Sequence, residues 1–395
     1  MSQQLISRSP DLNRLVAEGY ALRIESNFLI VEEIPYLDAD GNVRRGAFVC
    51  PFHSNGEMAT PPAGDHVMWF SGAFPCDRHG HRLEALGMTS PSMQRVGELE
   101  INQAFSNKPR GASGPRDYRD FYEKVVTYEA IIMREVHAVD PSATSKVGAL
   151  PATDAPDGPF IIPDTASARA GIADIGDQLS TEVVAIIGLG GTGSFIFDQV
   201  ARSPVMEIHP FDGDKYYPHN VLRSPGTPSR GDLQPPPFKV DFHAERLGQI
   251  KRGIQPHPVY FTPENLNLLE IITFAFVSMD LGPFKRSIIE KLEALSIPYV
   301  EVGMGLHRSG DTIGGTLRAV LSHDANRDAV RPHIPLDAPG EDALYTNNIQ
   351  IADLNSFNAN MAIQLWKAHR GFYVNLGEDV WIYQLDTRTL IKVAA

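Results

Sequence analysis

The sequence predicts an α/β protein: a doubly wound, mostly parallel Rossmann-like sheet preceded by a smaller α+β domain. Three observations carry this. The run Val183-Val184-Ala185-Ile186-Ile187 is unbroken apolar, as in a parallel strand buried on both faces. It enters a glycine turn, Gly188-Leu189-Gly190-Gly191-Thr192-Gly193, followed by a helical stretch. Strand-like and helix-like segments then alternate through the rest of the chain, the signature of a doubly wound sheet.

The elements follow in order. Residues 28–34 read as a strand, Asp38-Ala39-Asp40-Gly41-Asn42 as a hairpin turn and 46–50 as the return strand. Residues 66–70 give another short strand. Phe121, Val125, Val126, Ile131 and Ile132 fall at helical spacing over 118–137. Residues 1–140 are therefore expected to form an α+β domain. Residues 141–164, rich in Pro, Ala, Ser, Thr, Gly and Asp, are expected to be a linker, and 165–395 a second domain. There the expected order is a strand at Val183–Ile187, a helix over 194–202, a strand at Glu207–Phe211 and a helix over 239–248. A short strand at 258–261, a strand at 274–279, a helix over 284–295 and a strand at 299–302 come next. Residues 314–321 and 380–385 read as antiparallel strands around a long helix over 347–370.

Composition narrows the partners. The chain has 395 residues, 43% hydrophobic and 21% charged, which suits two globular domains. With 35 Lys and Arg against 48 Asp and Glu the net charge is −13, which argues against nucleic acid. No apolar run reaches the ~18 residues of a spanning helix, so no membrane span is expected. The first residues lack the basic-then-apolar pattern of a signal peptide. Cys50 and Cys76 are the only cysteines, too few for a disulfide framework, and a reducing cytoplasm is expected.

Chemistry concentrates after the glycine turn. Gly188, Gly190 and Gly193 fit Gly-x-Gly-x-x-Gly, in which glycines admit a phosphate and the helix start offers free N–H groups. The second strand ends at Asp212-Gly213-Asp214, roughly twenty residues on, where an acid can accept ribose hydroxyls. A dinucleotide site would show this much. His219-Asn220-Val221-Leu222-Arg223, Lys239 and Asp280 add an amide, two cations and an acid near the carboxyl ends of neighbouring strands. Two cations beside a polyphosphate suit transfer at phosphorus, where negative charge must be held, and hydride transfer needs none of them. Arg223 suits bidentate grip on phosphate oxygens, Lys239 supplies a point charge, and Asp280 suits Mg²⁺ bridging phosphate oxygens.

In this ordered set, residues 165–395 resemble the ThiF family, the adenylating domain shared by ubiquitin-activating enzymes and bacterial sulfur-carrier activators. Gln350-Ile351-Ala352-Asp353-Leu354-Asn355, opening a long helix, is similar to late helices of that family. The resemblance implies attack by the C-terminal carboxylate of a ubiquitin-like protein on the α-phosphate of ATP, giving acyl adenylate and pyrophosphate in a bacterial ubiquitination-like pathway. It implies that Gly188, Gly190, Gly191 and Gly193 cradle ATP and that Asp212 binds ribose, with Asp214 beside it. Asn220, Arg223 and Lys239 would hold the phosphates, and Asp280 the Mg²⁺. It implies a homodimer, in which Arg169 is the candidate to reach the partner's ATP.

The chain departs from the family in one respect. No cysteine follows Cys76, so the usual downstream thioester nucleophile is missing. Adenylation followed by transfer to a partner is favoured; an oxyester on Ser309, Ser322, Tyr345 or Thr346, or a cysteine from the N-terminal half or a partner, stays open. Residues 225–237 also lengthen the connection from Arg223 to Lys239, with Lys251 as the fallback cation.

In the N-terminal half, Cys50-Pro51-Phe52-His53 and Cys76-Asp77-Arg78-His79 both read Cys-x-x-His. Together Cys50, His53, Cys76 and His79 would make a tetrahedral zinc set; buried cysteines with loop histidines are the preferred reading, and zinc is not expected. The stretch Asp65-His66-Val67-Met68-Trp69-Phe70 with Phe74-Pro75-Cys76 loosely resembles prokaryotic ubiquitin-conjugating-like domains, which implies docking of a ubiquitin-like substrate or a conjugating-enzyme partner. Two other functions stay open: a Rossmann-type NAD(P)-linked oxidoreductase, and a scaffold that kept the fold without the chemistry.

Overall fold

A computed structural model describes the chain except at residues 1–4, 7, 57, 63, 92–94, 112–113, 149–157, 163, 171, 281–282, 337–348 and 395. It divides into two compact units: Met1–Gly158 with Ile162–Asp174, and Pro159–Ile161 with Ile175–Ala395.

The first unit is α+β. After α1 (Pro10–Ala17) comes an antiparallel meander of β1 (Ala21–Glu25), β2 (Phe28–Leu37), β3 (Val43–Pro51), β4 (Val67–Ser71) and β5 (Gln103–Ser106), paired in sequence order. The β2–β3 hairpin closes where expected: Asp38 Oδ1 accepts the N–H groups of Asp40 and Asn42, and Gly41 takes φ 78°. Helix α2 (Phe121–Val139) begins at Asp120, whose side chain accepts the Glu123 N–H. It buries Phe121, Val125, Tyr128, Ile132 and Val136 in one core with Phe48, Phe70 and Phe105.

Part of the stretch expected to be a linker is packed into this unit. Ala143 and Ser145 are buried, and Arg45 donates to the Thr144 carbonyl at 2.8 Å. Helix α3 (Thr165–Ala170), expected in the second domain, packs on α1 in the first unit.

The second unit is a seven-stranded mixed sheet. Its strands are β6 (Val183–Ile187), β7 (Glu207–Phe211), β8 (Phe274–Val277), β9 (Tyr299–Ser309), β10 (Thr312–Ser322), β11 (Glu378–Gln384) and β12 (Thr389–Ala394). The order is β7-β6-β8-β9-β10-β11-β12; the first four run parallel and the remainder antiparallel. Its helices are α4 (Gly191–Ala201), α5 (Lys239–Leu247), α6 (Pro283–Ala294) and α7 (Ala352–His369). The alternation within β6 is telling. Val184 and Ile186 enter a core with Phe197, Phe274 and Trp366, while Ala185 and Ile187 enter another with Ile288 and Leu292. Strand β6 is thus buried on both faces, and the chain leaves it toward β7 on one side and β8 on the other. Such a switch of direction opens a crevice at the carboxyl ends of the strands.

Two element expectations are corrected. Residues 258–261 are not a strand: Pro256 and Pro258 remove ladder donors, leaving isolated bridges at Ile254 and His257. The helix expected from residue 194 starts at Gly191, because the glycine turn itself winds into the first helical turn.

Candidate functional site

The crevice is a cleft of about 670 Å³ in the second unit, lined by the glycine turn, the ends of β7, β8 and β9, and residues of α7. The turn's glycines do different work. Gly188 takes φ 90°, and a Cβ there would overlap the Ser278 carbonyl. Gly193 lies against the Gly188 carbonyl, and Gly191 against the Asn355 amide. Gly190, the N-cap of α4, faces open space with no atom within 4 Å of its missing Cβ. No side chain caps this helix start, although Gln350 Oε1 accepts the Gly191 N–H at 3.2 Å. The result is a concave backbone surface at a helix N-terminus, the geometry of an anion cradle.

Asp212 is almost fully buried and holds this turn. Its Oδ2 accepts the Leu189 N–H at 2.7 Å and its Oδ1 the Asp214 N–H at 2.8 Å. Lys239 opens α5 and is buried between the two acids, 2.7 Å from Asp214 Oδ2 and 3.4 Å from Asp212 Oδ2. Asp214 sits on the half-exposed rim. Burial pushes its carboxyl up, but the Lys239 ammonium and the Tyr260 hydroxyl outweigh that and hold it below the usual range. Tyr260, bonded to this carboxylate and partly desolvated, is pushed up to about 12.

Arg223 lines the same cleft. Its Nε is buried with no hydrogen-bond partner, and among the described residues it has no ion pair. Asn220 lies behind it. The Asn220 side chain accepts the Tyr217 N–H at 2.9 Å and caps the start of the short helix Pro218–Val221; it is not a lining residue. Asp280, just past β8, is an exposed carboxylate on the lining.

The far wall holds charges that the motif reading passed over. Glu301 on β9 is fully buried, 2.6 Å from Lys285 and gripped by Arg318 at 2.9 and 3.0 Å. Its signal was a carboxylate inside an otherwise apolar strand, which burial obliges to be paired. Asn355, read only within the motif that opens the late helix, and Asn358 are both buried on α7 and had been given no role in the site. Polar residues spaced on the inward face of an apolar helix were the available sign.

The structure therefore gathers Gly188, Gly190, Gly191, Asp212, Asp214, Arg223, Lys239 and Asp280 around one cleft, with Gly193 beneath the turn. Other candidates lie elsewhere. Arg169 is on α3 of the first unit, and its side chain falls outside the described residues. Lys251, the fallback for Lys239, is buried and donates to the Ser203 and Val205 carbonyls at 3.2 and 2.5 Å. Ser322 is buried and Ser309 ends β9; neither lines the cleft, and Tyr345 and Thr346 lie outside the described residues.

The Cys-x-x-His quartet is not assembled. Among the described residues no group of three or more His, Cys, Asp or Glu is placed to hold a metal. Cys50 is buried in the core of the first unit, where burial pushes its thiol up to about 11, and His53 is exposed. Burial raises Cys76 too, and its Sγ donates to the Phe74 carbonyl. An activated thiol needs the opposite shift.

With the geometry in place, comparison with known proteins separates the two units. A family model described as a domain of unknown function (DUF6791) matches residues 10–165. Ubiquitin-like modifier-activating enzyme 5 of Xenopus laevis is 25% identical over 179 residues, 45% of this chain and 42% of that protein. The chain thus spans less than half the length of the curated relative it matches. The α/β fold and the glycine-turn motif set of the second unit are ThiF-like. Among solved structures, a crystal structure of PaaA is 18% identical with a TM-score of 0.42, covering 56% of this chain and 76% of that one. Escherichia coli MccB, crystallised with AMPCPP and MccA, is 16% identical with a TM-score of 0.42, covering 58% of this chain and 70% of that one. Among the described residues no helix is long and apolar enough to cross a membrane.

Proposed function

We propose that the second unit binds ATP in this cleft and adenylates the C-terminal carboxylate of a ubiquitin-like protein. The observation that carries this reading is Arg223: a buried guanidinium nitrogen without a partner, lining a cleft that is also lined by bare glycine backbone. Leaving such a donor unpaired costs free energy that an anionic ligand recovers. A relative named for activating a ubiquitin-like modifier supports the substrate class.

In the reaction, a carboxylate oxygen bonds to the α-phosphorus and the bond from that phosphorus to the pyrophosphate oxygen breaks. Negative charge builds on the phosphate oxygens, where Arg223 and Lys239 stabilise it. Lys239 is already fixed by Asp212 and Asp214, so little reorganisation is needed when phosphate arrives. Asp280 would hold Mg²⁺, and a single exposed carboxylate suits this ion, which keeps several waters and shares its remaining sites with phosphates. Bound there, Mg²⁺ supplies Lewis-acid charge neutralisation. Arg169 would serve the cleft of a second copy. The acyl group then passes to a nucleophile of a conjugating partner, the bond between the acyl carbon and the phosphate oxygen breaking and AMP leaving, because neither Cys50 nor Cys76 has the environment of a reactive thiol. Pyrophosphate–ATP exchange with candidate ubiquitin-like proteins tests the reading: exchange by the native chain, lost in Asp280→Ala, is the expected result. No exchange with any of them counts against it.

A further inference from the structure

Arg223 precedes the proline-rich connection 225–237, so its position is not secured from the C-terminal side by regular structure. On its N-terminal side the Arg223 N–H donates to the Asn220 carbonyl at 3.2 Å. On the other side a residue 132 positions away takes over: Asn355 Nδ2 donates to the Arg223 carbonyl at 3.0 Å. The same amide faces the glycine turn. Asn355 Oδ1 accepts the Thr192 hydroxyl at 3.3 Å, and a Cβ at Gly191 would overlap it. Asn355 is wholly buried in the first turn of α7, and both ends of its amide are used.

We infer that Asn355 is a positioning residue that bolts the backbone of Arg223 to the glycine turn and so sets where the guanidinium meets phosphate. The inference rests on the ATP reading above. Its logic is geometric. The Arg223 carbonyl and the Thr192 hydroxyl of α4 meet on this one amide of α7, which fixes the spacing between the two phosphate-binding pieces. Aspartate would put a carboxylate oxygen against the Arg223 carbonyl and push the two apart; leucine or alanine would leave that carbonyl without its donor.

The test is a double-mutant cycle on nucleotide binding with the full chain, using ATP and adenosine as separate probes. Asn355→Ala and Asn355→Asp are each expected to weaken ATP roughly tenfold or more at a temperature where both variants are folded, with adenosine binding nearly unchanged. Because Asn355 acts through Arg223, the Arg223→Ala/Asn355→Ala double variant is expected to bind ATP no more weakly than Arg223→Ala alone. Losses that multiply in the double variant, or that fall equally on ATP and adenosine, overturn the inference. Native-like ATP affinity in both Asn355 variants overturns it too, while leaving the ATP reading in place. Failure of the native chain to bind ATP overturns both.

Discussion

The Oδ2 atom of Asp212 accepts the backbone N–H of Leu189 at 2.7 Å, so the end of the second parallel strand holds the glycine turn from beneath. The same carboxylate accepts the Asp214 N–H and faces Lys239. Removing it leaves a buried N–H and a buried ammonium short of partners. Asp212→Ala is expected to cost about 2–3 kcal/mol of stability, and Asp212→Asn less because its oxygen still accepts one N–H. Urea unfolding of both variants measures the difference; equal losses would mean the turn is held by other contacts.

Gly188 and Gly190 make a contrasting pair. Gly188→Ala meets both a positive φ and the Ser278 carbonyl, so a loss on the order of 2 kcal/mol or more in stability is expected. Gly190→Ala has room and a negative φ, so its melting temperature should match native. Its new methyl nevertheless projects where phosphate would lie, and ATP binding should fall. A Gly190→Ala variant that binds ATP as well as native protein would move the phosphate away from this turn.

Glu301 satisfies two cations at once, Lys285 and Arg318, inside the far wall. Glu301→Gln strands them and is expected to cost about 3–5 kcal/mol, a buried pair broken from one side. Adding Lys285→Met should restore part of that loss. Chemical denaturation of the two variants checks the order; no recovery in the double variant would show that the lysine is not stranded.

Lys251 gives a pH signature. Burial pushes its amine down from 10.5 to about 7. Between those values the unfolded chain carries a proton that the folded chain lacks, so this group makes stability rise with pH across that window. Native protein should gain about 1 kcal/mol per pH unit relative to Lys251→Met between about pH 8 and about pH 10. Parallel stability profiles for the two chains would mean that Lys251 stays protonated against its carbonyl partners.

Much of the glycine-turn end of the cleft was legible because it is local. Strand, turn and acid follow one another within about thirty residues, each with a residue type that geometry demands. Lys239 was legible for the same reason, as the first residue of a periodic helix. Asn355 and the Glu301–Arg318 pair were not, because their meaning lies in contacts made across the sheet. An asparagine on the buried face of a helix reads as an exception until the carbonyl it serves is known. The short strand expected at 258–261 failed because apolar character was given more weight than Pro256 before it and Pro258 at its start. Asn220 was read as a ligand, yet its side chain caps the start of the short helix before Arg223, a use that residue type serves equally well.

Whether the cleft is built for ATP is decided by calorimetric titration of the purified chain with Mg²⁺–ATP and, separately, with NAD. Native protein is expected to bind ATP and not NAD, and Arg223→Ala to bind ATP at least roughly tenfold more weakly, since the guanidinium that lines the cleft is then gone. Preference for NAD, or an ATP affinity indifferent to Arg223, contradicts the assignment.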